Sequence, residues 1–303
     1  MFPREHGPDF TTLKGEMPPG IFQGGITLRK VCIVICVLGL LIALAVPASA
    51  AQFRAFWVDA WHSGFENSSA TQAMVNYTAG CNANVIFVEV RKRGDAYYAS
   101  SYEPKGTGVT PASGYDCLAD ICTKAHAAGL EVHAWVVVTR VWTETSNPPT
   151  TTPNHVFNTH PEWFSLTNGG SKFDSGGHSF LDPGVPDVEH HTVNVIKQIV
   201  TNYPVDGITL DYIRYPGTTW GYNPIAVARY NAEYGLSGNP SYTSTQWSNW
   251  RRQQLTNLVK RIYLECKAIR PSIKVGAAVW NTAGTGNSSY FQNWDQWMSQ
   301  HWL

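Results

Sequence analysis

Two aspartates bracket one apolar run in this chain. Asp206 precedes Gly207–Leu210 and Asp211 follows it, with Tyr212, Arg214 and Tyr215 close behind. A carboxylate next to a carboxyl that keeps its proton is the pair glycosidic cleavage requires. One group protonates the leaving oxygen; the other attacks the anomeric carbon or activates water. Side chains alternate along a strand, so Asp211 shares a face with Thr209 and Gly207, while Asp206 has the other parity and sits at the opposite end. Asp211 is therefore the functional candidate and Asp206 a starter of the strand. The competing assignment for Asp211 is an ion pair with Arg214 or another arginine. Its candidate partners in acid–base chemistry are Asp95, in Arg93-Gly94-Asp95-Ala96-Tyr97, and Asp182, in the turn Leu181-Asp182-Pro183. Glu89, inside a strand-like run, is a third, with a buried pair to Arg91 or Arg93 as its competing reading.

Aromatic residues accompany these carboxylates: Trp57, Trp61, Tyr97, Tyr98, Trp135, Trp142, Tyr212, Tyr215, Trp220 and Trp280. Flat rings stack on the apolar faces of sugars while polar groups read the hydroxyls. Trp57 and Trp135 fit a core equally well, and His133 fits either the mouth of a site or a satisfied interior. No helical histidine pair has metal spacing, and no Gly-x-Ser-x-Gly elbow or phosphate loop occurs, so neither metal nor cofactor is expected. With 22 basic and 22 acidic side chains, the chain lacks the basic excess of a nucleic-acid binder.

The elements that must position these groups alternate. Strand-like runs are predicted over 53–58, 84–90, 131–138, 206–211 and 273–280, and helices over 71–79, 116–128, 187–202, 247–269 and 291–301. Asp116 is the expected N-cap of the second helix. The stretch 143–186 carries no clear element. Near-continuous apolar strands alternating with helices mean a parallel sheet covered by helices. An open doubly wound sheet and an eightfold (β/α)8 TIM barrel compete. The first strand is followed by Asp59-Ala60-Trp61-His62 rather than a Gly-rich cradle. Polar groups follow every strand: Asp59, Arg91, Arg93 and Asp95, Arg140, Asp211 and Asn281. Gathering them there is what a barrel does. Only about five βα units are visible where a barrel has eight, so the reading is a barrel domain over 51–303 that is incomplete at its C-terminal end.

Residues 1–50 read as an N-terminal extension and signal peptide. Arg29-Lys30 precede an apolar run from Val31 to Val46, and Ala48-Ser49-Ala50 offers a cleavage site. Export to the cell envelope or medium is expected, with Met17 as an alternative start and an uncleaved membrane anchor as the rival. The four cysteines beyond that segment, Cys81, Cys117, Cys122 and Cys266, are read as small buried residues in preference to disulfides.

Seven segments in series carry a resemblance: "FRAFWVDAWHSGF", "NVIFVEVRKRGDAYYASSYEP", "AHAAGLEVHAWV", "FLDPGVPDV", "VDGITLDYIRYP", "YNPIAVARY" and Lys274–Trp280. Together, from about Phe53 to Trp302, they resemble the glycosyl-hydrolase-like family 10 group of exported bacterial proteins. The resemblance implies a barrel related to retaining glycosidases, with Asp211 as nucleophile at the end of the fourth strand. It also implies sugar-cleft roles for Arg93, Asp95, His133, Asp182, Arg214 and Tyr215; Tyr97, Trp135 and Trp280 join them from the aromatic pattern. Related barrels place the acid after a sixth strand, which this chain does not reach. Glu89 stands where many members have glutamine, which argues against it as a required catalyst. The expected partner is a polysaccharide, with cell-wall glycan the leading idea. The alternatives are a non-catalytic glycan-binding or wall-associated protein, or an inactive fragment.

Overall fold

The computed structural model describes residues 52–303. The signal segment, its cleavage site and Met17 lie outside the described residues. Five strands form one sheet: β1 (Ala55–Val58), β2 (Val85–Arg91), β3 (Glu131–Val137), β6 (Gly207–Asp211) and β7 (Lys274–Ala277). Their order is β1-β2-β3-β6-β7 and every neighbouring pair is parallel. Parallel neighbours need crossovers, and four are built from α1 (Ser68–Gly80), α2 (Cys117–Ala127), α3 (Pro186–Asn202) and the pair α4 (Pro224–Tyr234) and α5 (Thr245–Ile269). A short helix, α6 (Trp294–Ser299), follows β7. The β3–β6 crossover also carries a small antiparallel ribbon, β4 (Arg140–Trp142) with β5 (Ser179–Phe180).

Local chemistry sets these boundaries. Asn67, Asp116, Asn223 and Ser244 each cap a helix through a side-chain oxygen that accepts a backbone N–H. Pro224 then starts α4, where its missing N–H costs nothing. Strand order decides between the two architectures. A doubly wound sheet reverses its order at a switch point; here each strand adds on the same side of the last. The sheet is part of a (β/α)8 barrel.

Its two faces differ. Ile86, Val88, Val90, Val132, Ala134, Val136, Ile208 and Leu210 point to the helices and are fully buried with Leu118, Ile121, Ile196, Ile199, Leu258 and Ile262. The opposite parity, which turns inward in a barrel, presents Trp57, Phe87, Glu89, His133, Trp135, Thr209 and Asp211. Trp57 stacks on Phe87 at 4.4 Å and meets Trp135 edge-on at 4.9 Å. These tryptophans line that inner face rather than the helix-packed core, and Trp57 is 50% exposed. His133 sits lower, opposite Gly207. A Cβ on Gly207 would lie 2.4 Å from its imidazole, so only glycine permits the approach. Cys117, Cys122 and Cys266 are buried as expected, whereas Cys81 is exposed.

Candidate active site

Asp211 ends β6 opposite Val137, at the C-terminal edge of the sheet. Its Oδ2 accepts the Trp135 indole N–H at 3.0 Å and its Oδ1 the backbone N–H of Tyr212 at 2.7 Å. The chain then turns sharply: Tyr212 has φ +47°, a left-handed conformation uncommon for an aromatic residue. Thr139 pins the turn. Its hydroxyl donates to the carbonyls of Tyr212 (2.6 Å) and Arg214 (2.8 Å), and its N–H donates to Tyr212 as well. The turned Tyr212 ring carries two guanidiniums, Arg140 at 4.0 Å and Arg214 at 4.2 Å, and its hydroxyl accepts from Arg140 Nη1 at 2.7 Å. Trp280 and Tyr290 stack at 4.5 Å beside Arg214. Arg214, Trp280 and Asn281 line an open cleft of about 440 Å³.

Glu89 shares this inner face. It pairs in register with Trp135, the residue that holds Asp211. Its Oε2 accepts the Ala60 N–H at 2.8 Å. Burial, opposed by the charges of Lys92 and Arg140, pushes its carboxyl up to about 7. Neither expected arginine pairs with it. Arg91 instead holds Glu103 through Nε and Nη2 at 2.6–2.9 Å, both fully enclosed, and that guanidinium keeps the Glu103 carboxyl far below the usual carboxylate range. Glu103→Gln should therefore destabilise the fold by about 3–5 kcal/mol, because it leaves a buried cation unpaired. Urea unfolding at pH 7 checks this.

Six sequence-predicted site residues are placed elsewhere. Asp182 is fully buried, accepting from the Gly184 N–H at 2.8 Å and the Tyr215 hydroxyl at 3.1 Å, and burial raises its pKa. Tyr215, 1% exposed, is therefore the partner of Asp182 and not a sugar platform. Asp95 is 2% exposed and turned onto Arg93, accepting its backbone N–H at 3.1 Å. Arg93 is spent on Asp95, Thr107, Thr143 and Glu144 and stacks 4.2 Å over Trp142. Tyr97 donates to the Thr107 carbonyl. These three residues fasten the segment after β2. His133 lies at the start of β3, its pKa lowered by burial, beside Glu131. Asp206 behaves as the strand starter expected, accepting the Val132 N–H at 2.8 Å with His126 alongside. Asp211, Trp135, Arg214 and Trp280 thus come together at one edge. Arg140, Tyr212 and Tyr290 complete the group; the first two stand beside strand ends in the sequence, while nothing there singled out Tyr290. Among the described residues, no cluster of three or more His, Cys, Asp or Glu is placed to hold a metal ion, and no helix is long and apolar enough to cross a membrane.

The family model for glycosyl hydrolase-like 10 matches residues 52–303. The chain belongs to this family. Its relatives include glycosyl hydrolase YngK of Bacillus subtilis, 26% identical over 73% of this chain and 43% of that protein, and glycosyl hydrolase DigH of Escherichia coli K12, 26% identical over 65% and 45%. The chain spans less than half the length of either. Among solved structures it resembles the glycoside hydrolase domain of PgaB from Bordetella bronchiseptica (TM-score 0.54, 13% identity, 79% of this chain and 69% of that one). It also resembles α-L-fucosidase isoenzyme 2 from Paenibacillus thiaminolyticus (TM-score 0.55, 18% identity, 75% and 32%). At such identities these likenesses speak for the barrel fold alone. The glycosyl hydrolase-like 10 chain carries Asp211 on the inner face of its sheet, at the end of β6.

Proposed function

We propose that the protein is an exported glycoside hydrolase acting on a polysaccharide, with cell-wall glycan the leading substrate. The observation that carries this reading is Asp211: an inward carboxylate at the strand end, fixed by Trp135 and Tyr212 and set beside an arginine- and aromatic-lined cleft. Asp211 meets the anomeric carbon, as nucleophile or as the charge facing the oxocarbenium-like centre. Against the expectation from the resemblance that Glu89 is not a required catalyst, its place on the same face and a carboxyl protonated up to about pH 7 favour it as the group that supplies the proton to the leaving oxygen. Glu89 is on β2 and Asp211 on β6, the two strands that flank β3, and Asp211 lies two residues beyond Thr209, which is level with Glu89 across Trp135. Asp95 is tied to Arg93, and Asp182 to the Gly184 N–H and the Tyr215 hydroxyl, so neither is assigned a part.

Mass spectrometry of fragments released from purified cell-wall glycan tests the activity. New reducing-end oligosaccharides are expected; binding to glycan with no product from any polymer would favour a non-catalytic binding protein instead. Trp135→Phe removes the indole N–H from Asp211 while keeping a ring. A hydrogen bond to a charged group is worth about 1.5–3 kcal/mol, so turnover should fall about ten- to hundredfold with the fold retained. Export rests on the sequence before Ala51; N-terminal sequencing of protein recovered outside the cell should read Ala51-Gln52-Phe53.

A further inference from the structure

Three cations follow one another where β2 ends. Arg91 holds Glu103 and Arg93 holds Asp95. Lys92, between them, is 1% exposed, and the hydrogen bonds of its amine go to the carbonyls of Ala60 and Thr107, each at 2.9 Å. The Trp61 and Tyr97 rings flank the amine at 4.5 and 5.1 Å. Enclosing an amine among carbonyls and rings costs stability that an apolar side chain of the same length would not. What the amine reaches is the turn after β1. Most of that turn is open, with Trp61 and His62 exposed, but Ala60 within it is fully buried. The Ala60 carbonyl meets Lys92, and the Ala60 N–H meets Glu89 Oε2 at 2.8 Å. The two ends of one residue join the lysine to the carboxyl.

We propose that Lys92 is a positioning residue for Glu89: it clamps Ala60 from inside the fold, so that the Ala60 N–H holds the Glu89 carboxyl in place. This rests on the reading above that Glu89 is the proton donor, and adds the group that aims it. An exposed turn opens easily unless something ties it to the fold. A donor displaced by about 1 Å can lose on the order of a hundredfold in rate. Lys92 also acts through its charge. The charged groups around Glu89 come from three places: Asp59 in the turn after β1, Lys92 at the end of β2, and Arg140 on β4. Burial, with Asp59, favours the protonated carboxyl, while Lys92 and Arg140 favour the ionised one. Removing the lysine charge therefore raises the pH at which Glu89 ionises. Loosening the Ala60 N–H, which bonds the ionised form, raises it further. The two effects have the same sign.

The test has two readouts on the full chain. One is kcat and KM on purified cell-wall glycan across the pH range. The other is the Glu89 carboxyl carbon, titrated by NMR in protein labelled at glutamate and assigned by its loss in Glu89→Gln. Lys92→Met removes both charge and donor. Its kcat should fall about tenfold while KM stays within about twofold of wild type. Its alkaline limb and its carboxyl titration should both move above about 7, by about 0.5 in pH or more. Lys92→Gln, which also lacks the charge, should shift the titration the same way, so the result does not hang on one variant folding. Lys92→Arg, which keeps charge and donors, should bring limb and titration back towards wild type. An unmoved limb and titration in Lys92→Met and Lys92→Gln, whatever their Tm, would overturn the proposal, as would a raised KM with kcat unchanged. A titration that moves in a protein whose wild type cleaves no glycan would uphold the link from Lys92 to Glu89 and remove the proton-donor role.

Discussion

Asp211→Asn is expected to lower polymer cleavage by roughly a thousandfold or more, the scale seen when a group bonded to the reacting centre is removed. The asparagine side chain has the same shape and still offers one oxygen to the Trp135 indole or the Tyr212 N–H, the two donors that hold the carboxylate. One donor then faces an amide NH₂, so some stability is lost. The site is half-buried, and an unmatched polar group costs about 1–3 kcal/mol at most. A Tm a few degrees lower with turnover essentially gone is the expected pair of results. Because fold and activity separate, the loss would report chemistry and not unfolding.

Glu89→Gln is the second large effect, and its two readouts move in opposite directions. Glutamine cannot deliver a proton, so polymer cleavage should fall by about 10²–10⁴-fold. The wild-type rate should decline as pH rises through about 7, where Glu89 loses its proton, and the variant should lack that alkaline limb. A substrate with a phenolic leaving group that needs little protonation should be spared. Stability moves the other way. The folded-state pKa is raised, so folding resists ionisation of this carboxyl. Below about pH 4.5 both folded and unfolded states are protonated and the substitution changes little. Between about 4.5 and 7 the unfolded chain ionises first and wild type loses stability progressively. Above 7 the deficit is constant, on the order of 3 kcal/mol. Glu89→Gln should therefore gain that much at pH 8 and almost nothing at pH 4.5, provided the Ala60 N–H finds the amide oxygen. Thermal unfolding at the two pH values checks the sign.

The strands were legible because each signal is local: a short apolar run ended by a polar residue. All five predicted strands occur, each within a few residues, in one parallel sheet. Asp116 caps α2 as its position suggested. The ribbon of β4 and β5 was not legible, since strands of three and two residues hold their shape only through partners about forty residues away. Helix α4 is short, and its buried residues, Ala226, Val227 and Tyr230, give a weak periodic signal. Site residues divide the same way. The inward position of Asp211 at the strand end was readable from strand parity alone. Asp95 and Asp182 have the right chemistry, but their burial depends on Arg93 and on Tyr215, the latter thirty-three residues on, and composition does not show it. The Trp135–Asp211 bond joins residues seventy-six apart through strand register. The partner of Arg91 proved to be Glu103, and Glu89 on the inner face is held by the Ala60 N–H instead of an arginine.

The most direct test of the account is the rate at which the full chain releases reducing ends from purified glycan, measured side by side for wild type and Asp211→Asn at pH 6. Wild type should release them steadily and Asp211→Asn, folded by circular dichroism, should release almost none. Equal release by the two proteins would contradict the assignment of Asp211 as the carboxylate at the anomeric centre.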